Sequence, residues 1–191
     1  MKKKIVVGIS GASGAIYGIR ILEVLKSLEI ESHAIISNAA VQTITHETSY
    51  SIDDVVNLAT KVYDQKDIGA AISSGSFKVD GMIVAPCSIK TLSAVANSYN
   101  DELITRAADV QLKERRKLVL IVRETPLNLS HIQHMSLITQ MGGVILPPVP
   151  SFYHKPQTID DIINQTVGKA LDQFDIDAKL FNRWAGELTI K

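Results

Sequence analysis

Apolar positions along the chain follow two alternating patterns. Short, near-continuous apolar runs with β-branched residues occupy positions 5–9, 33–37, 81–86, 117–122 and 144–146. Between and after them, apolar residues recur at helical spacing over 15–28, 39–48, 89–97, 103–114, 129–141 and 159–171. Strands that are apolar on both sides, alternating with amphipathic helices, predict an α/β protein with a parallel sheet covered on both faces and right-handed crossovers. No fixed-period repeat and no low-complexity linker divides the sequence. Residues 1–191 are therefore expected to form one domain, closing in a helix and tail from about 158 to 191.

Composition narrows the class. A chain of 191 residues, 46% hydrophobic and 21% charged, can bury a substantial core. Its 20 basic residues are matched by 20 acidic ones, which argues against a nucleic-acid partner held by broad phosphate neutralisation. No apolar run approaches the roughly 20 residues needed to cross a bilayer, so no membrane partner is expected. Lys2-Lys3-Lys4 precede apolar residues, but that run is short and ends in a Gly/Ser turn, so it reads as a first strand rather than a leader. Cys87 is the single cysteine and has no internal disulfide partner, consistent with a reducing, cytoplasmic location.

Candidate chemistry collects where the predicted strands end. After the first strand comes Ser10-Gly11-Ala12-Ser13-Gly14, then a helical pattern. A strand, a small-residue turn and a helix together aim backbone N–H groups at an anion. The dinucleotide fingerprint is absent, because Ser10 stands where it needs glycine, and no Walker Gly-Lys-Ser/Thr follows. Two readings remain: a tight turn whose serine caps the helix, or a nest for one phosphate with Ser10 and Ser13 as hydroxyls. The other strand ends supply Ser37 and Asn38, then Cys87, Ser88, Ile89, Lys90 and Thr91, then Arg123 and Glu124. In an open α/β sheet, ligands bind beyond these carboxyl ends. Ser88 and Thr91 suit either helix caps or ligand contacts. Cys87 reads as a packing residue in preference to a nucleophile.

Several features look like chemistry but have plainer explanations. Ser51 with Asp54, and Thr158 with Asp161, place a hydroxyl three residues before an acid; they predict capping boxes rather than magnesium ligands. No Ser-His-Asp order and no His/Cys cluster at metal spacing is present, so no metal is expected. Arg106 and Lys113 lie two turns apart on one helix face, as a solvated cationic end or as a cradle for a dianion shared between neighbouring protomers. The proline-dense stretch 146–156, which carries Phe152 and Tyr153, is expected to be neither helix nor central strand: a pocket wall or a connector.

These residues carry a family resemblance. Gly11-Ala12-Ser13-Gly14, His46-Glu47-Thr48, Ser73-Ser74-Gly75-Ser76, Ala85-Pro86-Cys87-Ser88, Arg106-Ala107-Ala108-Asp109-Val110, Leu112-Lys113-Glu114-Arg115-Arg116, Arg123-Glu124-Thr125-Pro126, Phe152-Tyr153-His154 and Arg183-Trp184 occur in this order from about residue 4 to 184. Together they resemble the UbiX-type flavin prenyltransferases, with 71–77 and 171–174 most similar to the branch that supplies the small component of phenolic acid decarboxylase systems. The resemblance implies a single Rossmann-like (flavodoxin-like) doubly wound parallel sheet with helices on both faces. It implies that a dimethylallyl group passes from dimethylallyl monophosphate, without a metal, to N5 and C6 of reduced FMN. Prenylated FMN would then go to a UbiD-type decarboxylase, and the protein would be a homododecamer.

Residue by residue, the resemblance implies FMN contacts from Gly11, Ala12, Ser13, Ser37, Ser88, Ile89, Lys90, Thr91 and Arg123. It places Tyr153, Lys169, Arg106 and Lys113 on the donor phosphate, and Ser13, Glu47 and Glu124 in the chemistry. Ile68 stands where many members have tryptophan, and Lys169 where arginine is common. Alternatives are a non-catalytic flavin-binding partner of a decarboxylase or a flavin-dependent cysteine decarboxylase; the Pro-x-Met-Asn stretch of the latter is absent.

Overall fold

The computed structural model describes residues 3–184 and 186. The elements run β1 (Lys4–Ile9), α1 (Ala15–Ser27), β2 (Glu31–Ile36), α2 (Asn38–Glu47), α3 (Ile52–Val56), β3 (Lys61–Tyr63), a 3-10 turn (Ala71–Ser73) and β4 (Gly81–Cys87). They continue with α4 (Ile89–Ala96), α5 (Leu103–Lys113), β5 (Lys117–Val122), α6 (Leu129–Gln140), β6 (Val144–Ile145) and α7 (Ile159–Asp172). All strand pairs are parallel, and the six strands lie in the order β3-β2-β1-β4-β5-β6.

Alternation along the strands explains their solid apolar pattern. Ile5, Val7 and Ile9 of β1 and Ile83 and Ala85 of β4 enter a core with α1 and α7. Val6, Met82 and Val84 point the other way, into a core with α4 and α5. With both faces covered, no position in the central strands can be polar without cost, and the period-2 signal disappears. The sheet is doubly wound, as expected. The predicted tail enters the described region only as far as Trp184 and Gly186; residues 185 and 187–191 lie outside it.

One strand escaped the sequence pattern. β3 is three residues long, with exposed Lys61, half-buried Val62 and buried Tyr63 at the sheet edge. An edge strand this short leaves almost no periodicity to read. It lies beside β2, and its carboxyl end carries a buried glutamine, Gln65, toward the site.

Both predicted capping boxes are present. The Ser51 hydroxyl accepts from Asp54 N and the Thr158 hydroxyl from Asp161 N, and each aspartate carboxylate returns the bond to the N-cap backbone. Hydrogen bonds from the Ser51 hydroxyl and N–H hold the Asp54 carboxyl below the usual aspartate value. The N–H groups of Gln157 and Thr158 do the same for Asp161.

Candidate active site

The sheet reverses direction of growth between β1 and β4: β2 and β3 extend one way, β5 and β6 the other. Connections diverge at that point, leaving a crevice above the carboxyl ends. Here it is a cleft of about 520 Å³ whose lining includes Ser10, Gly11, Ser37, Ser88, Lys90 and Thr91. Its floor is a tight junction. Ser10 is 2% exposed, and its hydroxyl donates to the Pro86 carbonyl at 2.8 Å while accepting from Ser88 N at 2.8 Å. The Ser10 N–H also reaches the Pro86 carbonyl, at 3.2 Å, so the first turn and the start of α4 are stitched together.

Three helices begin around this junction. Ser37 caps α2 by accepting from Ala40 N at 3.1 Å, and Ser88 caps α4 by accepting from Thr91 N at 3.3 Å. The Ser88 and Thr91 hydroxyls lie 3.1 Å apart. α1 has no side-chain cap from its own N-cap residue: Gly14 sits in the left-handed region with φ 97°, where a side chain would be strained. Its N–H donates instead to Glu47 Oε2 at 2.7 Å, so the end of α2 supplies a carboxylate at the start of α1. Gly11 is demanded by crowding. A Cβ there would lie 2.2 Å from Ala39 Cβ, because the first turn packs against the first turn of α2. Helix N-termini converging on a hydroxyl-lined cleft suit a phosphate-bearing ligand.

Gln65 and Glu102, which drew no attention in the sequence, complete the far wall. Gln65 Oε1 accepts from Asn38 N at 3.0 Å and its backbone carbonyl from Leu103 N at 2.7 Å, joining α2 to α5. Glu102 holds Lys90 Nζ at 2.8 Å, which raises the lysine above its usual value. The available signal for Gln65 was its place just after Val62-Tyr63, an apolar pair too short to read as a strand.

The remaining expected residues occupy other places. Ser13 is exposed at the tip of the first turn. Ile89 opens α4, and Arg123 and Glu124 are exposed beyond β5, with Arg123 N bonded to the Cys87 carbonyl at 3.1 Å. Glu124 accepts from Thr125 N, and among the described residues no ion pair joins it to Arg123. Arg106 and Lys113 do share a cleft, of about 470 Å³, with Ser73, Ser74, Gly75 and Ser76. That cleft runs down α5, away from the Ser37–Ser88 crevice. Lys113 stands about 16 Å along the axis from Glu102 at the rise of an α-helix. Arg106 Nε donates to the Ser73 carbonyl at 3.2 Å and its NH1 group pairs with Asp109, while Lys113 pairs with Glu114.

Tyr153 lies in the proline-dense loop, edge-on to His154 and to Trp184. Arg183 clamps Asp172 at the end of α7 with bonds of 2.8 and 2.6 Å. This ties the Tyr153–Trp184 pair to the helix that carries exposed Lys169 one turn earlier. Cys87 is fully buried and burial drives its thiol strongly up, so it packs and does not react. Among the described residues, no group of three or more His, Cys, Asp or Glu is placed to hold a metal ion.

A doubly wound sheet with a phosphate-directed cleft at its switch point defines a nucleotide- or flavin-binding protein, and the comparisons identify which. The model of the Flavoprotein family matches residues 1–171. A flavin prenyltransferase UbiX from Thauera aromatica is 63% identical over 183 residues, covering 96% of this chain and 94% of that protein. A crystal structure of AnUbiX in complex with FMN and dimethylallyl pyrophosphate is 49% identical with a TM-score of 0.96, covering 98% of this chain and all of that one. A dodecameric FMN-dependent UbiX-like decarboxylase from Escherichia coli O157:H7 is 46% identical with a TM-score of 0.94, covering 96% of this chain and all of that one. The chain belongs to the UbiX-type flavin prenyltransferases of the flavoprotein family.

Proposed function

We propose that this chain joins a dimethylallyl group from dimethylallyl monophosphate to reduced FMN, working as one flavin-binding domain. The observation that carries this reading is the switch-point cleft, where the starts of α2 and α4 and the Gly11 turn converge around Ser37, Ser88 and Thr91. FMN fits that donor set. Its phosphate suits the capped helix starts, Gly11 and Lys90 line the same cleft, and on this reading Ala12, Ser13, Ile89 and Arg123 supply the further flavin contacts. When bound, reduced FMN supplies electron-rich N5 and C6 as the positions that accept the dimethylallyl carbon.

The chain's own residues supply the rest. As the C–O bond of the donor breaks, the electron pair leaves with the phosphate, whose growing charge must be neutralised. Arg106, Lys113, Lys169 and the Tyr153 hydroxyl provide cations and a donor without a metal. Because Arg106 and Lys113 face a separate cleft along α5, the complete site is built where protomers meet, with these two residues reaching the flavin cleft of a neighbour. This supports a homododecamer like the E. coli neighbour. Glu47, bonded to Gly14 N, positions the turn that carries Ser13. Glu124 stands free of Arg123 and is placed to manage the proton released on ring closure. Prenylated FMN then passes to a UbiD-type decarboxylase. No helix among the described residues is long and apolar enough to cross a membrane, and we place the protein in the cytoplasm.

The deciding experiment incubates the purified chain anaerobically with FMN, a reductant and dimethylallyl monophosphate, with the diphosphate in a parallel arm. Mass spectrometry is expected to show flavin heavier by one dimethylallyl unit, with one free phosphate released per turnover in the monophosphate arm. Unmodified FMN in both arms would overturn catalysis and favour a flavin-binding partner of a decarboxylase.

A further inference from the structure

We infer that the outward face of α6 is a contact surface between copies of this chain. The inference rests on the oligomeric reading above and extends it to a particular helix. α6 is unusual in how little of itself it buries: of its 12 residues only Ile138 is fully inside. Half-buried Met135 and Met141 pack beside Ile138 against the second core. The arc opposite Ile138 presents Leu129, Ile132, Gln133, Ser136, Leu137 and Gln140, all exposed. Leu129 is 69%, Ile132 52% and Leu137 43% exposed. Helices in proteins owe most of their stability to a buried apolar face, and α6 has scarcely begun to bury one.

Charge identifies what covers it. From residue 125 to 154 the chain has no Asp, Glu, Lys or Arg, although thirty residues at the overall 21% charge would carry about six. A solvated helix carries charges on its outer face. Loss of charge at the centre of a surface patch, with leucine, isoleucine and small polar residues in its place, marks a protein–protein contact. The face offers nothing to a charged partner, whose ions would lose water without gaining a counterion. It suits a neutral surface that is always present, which a second copy supplies in an obligate oligomer. The dodecameric neighbour of the same fold shows that this architecture assembles with itself.

The test uses the full chain loaded with FMN. The double variant Leu129→Glu and Ile132→Glu changes only exposed side chains, so FMN binding checks that it folds. Light-scattering mass is expected to fall from that of the wild-type oligomer to a smaller species. A second readout replaces Gln133 with Cys; buried Cys87 gives little background. Alkylation at this site in the wild-type oligomer is expected to be at least about tenfold slower than at Asp53→Cys, an exposed site on α3. An oligomer of unchanged mass in the double variant, with Gln133→Cys alkylated as fast as the control, overturns the inference while leaving the oligomeric reading intact. A wild-type chain that is monomeric overturns both. Loss of mass only in the presence of a separate protein that binds the face would assign it to that partner and also overturn the inference.

Discussion

The cleft above β1, β2 and β4 and the cleft along α5 are both polar, but they hold their polar atoms in different ways. In the first, Ser10 and Ser37 are 2% and 7% exposed and bond to backbone groups of β4 and α2, while Thr91, 4% exposed, has its hydroxyl 3.1 Å from that of Ser88. Each of these groups is already held in place by bonds within the chain. In the second, the polar atoms end long side chains, and Arg106 and Lys113 are paired to Asp109 and Glu114. The Lys113–Glu114 pair is exposed, and a pair of that kind is worth about 0–1 kcal/mol, while Arg106 and Asp109 are half-buried. The first cleft is held by bonds within one chain; the second presents charges that, on the proposed assembly, meet the ligand bound by a neighbour.

The largest expected effect strikes the finished cleft. Gly11→Val places a side chain where even a Cβ would be 2.2 Å from Ala39. Overpacking of this kind costs about 1–3 kcal/mol, so FMN affinity should fall about 10–100-fold by fluorescence titration, with helical circular dichroism retained. Unchanged FMN affinity would show that the first turn does not shape the site. Ser10→Ala follows, since it leaves Ser88 N–H without its buried partner. Denaturant melts should show a loss of about 1–3 kcal/mol.

The α5 cleft should respond in another currency. Arg106→Ala or Lys113→Ala is expected to raise KM for the donor about tenfold while leaving FMN affinity within about twofold, because on the proposed assembly these charges meet the donor phosphate and not the FMN. Added salt should raise donor KM and spare FMN binding, since exposed charges are screened and buried caps are not. Parallel losses of both ligands would collapse the distinction between the two clefts. The smallest effect lies outside both. With its carboxyl held below 3.8, Asp161 lends stability that is complete above that value and lost as pH falls through its folded value. Asp161→Asn should therefore lower Tm slightly at neutral pH, and the difference should vanish in strong acid.

How much of this was legible depended on whether a feature is local. The five expected strands, the capping boxes at Ser51 and Thr158 and the non-regular stretch around Pro147 and Pro150 are written in neighbouring residues, and the structure has them, the last strand shortened to Val144–Ile145. Ser37 and Ser88 could be named from strand ends, and a cap was one of two readings for Ser88, although the cap role of Ser37 and their distance from one another could not be read. Gln65 was invisible because it follows a three-residue edge strand. Glu47 belongs to a recognisable motif, yet its bond to Gly14 N spans 33 residues and follows from helix packing alone. Arg106 and Lys113 were correctly placed on one face by helical period, but period says nothing about which cleft that face lines.

The sequence by itself determined the alternation of strand and helix, the double burial of the sheet and the family, because apolar runs, turn residues and motif order are properties of neighbouring positions. Only the tertiary structure decided the order of the strands and hence the switch point between β1 and β4. It alone set Gly11 against Ala39, stitched Ser10 to both Pro86 and Ser88, and sent Arg106 and Lys113 down a separate cleft. These are contacts between segments far apart in the chain, selected by how the helices pack on the sheet, and no local pattern encodes them.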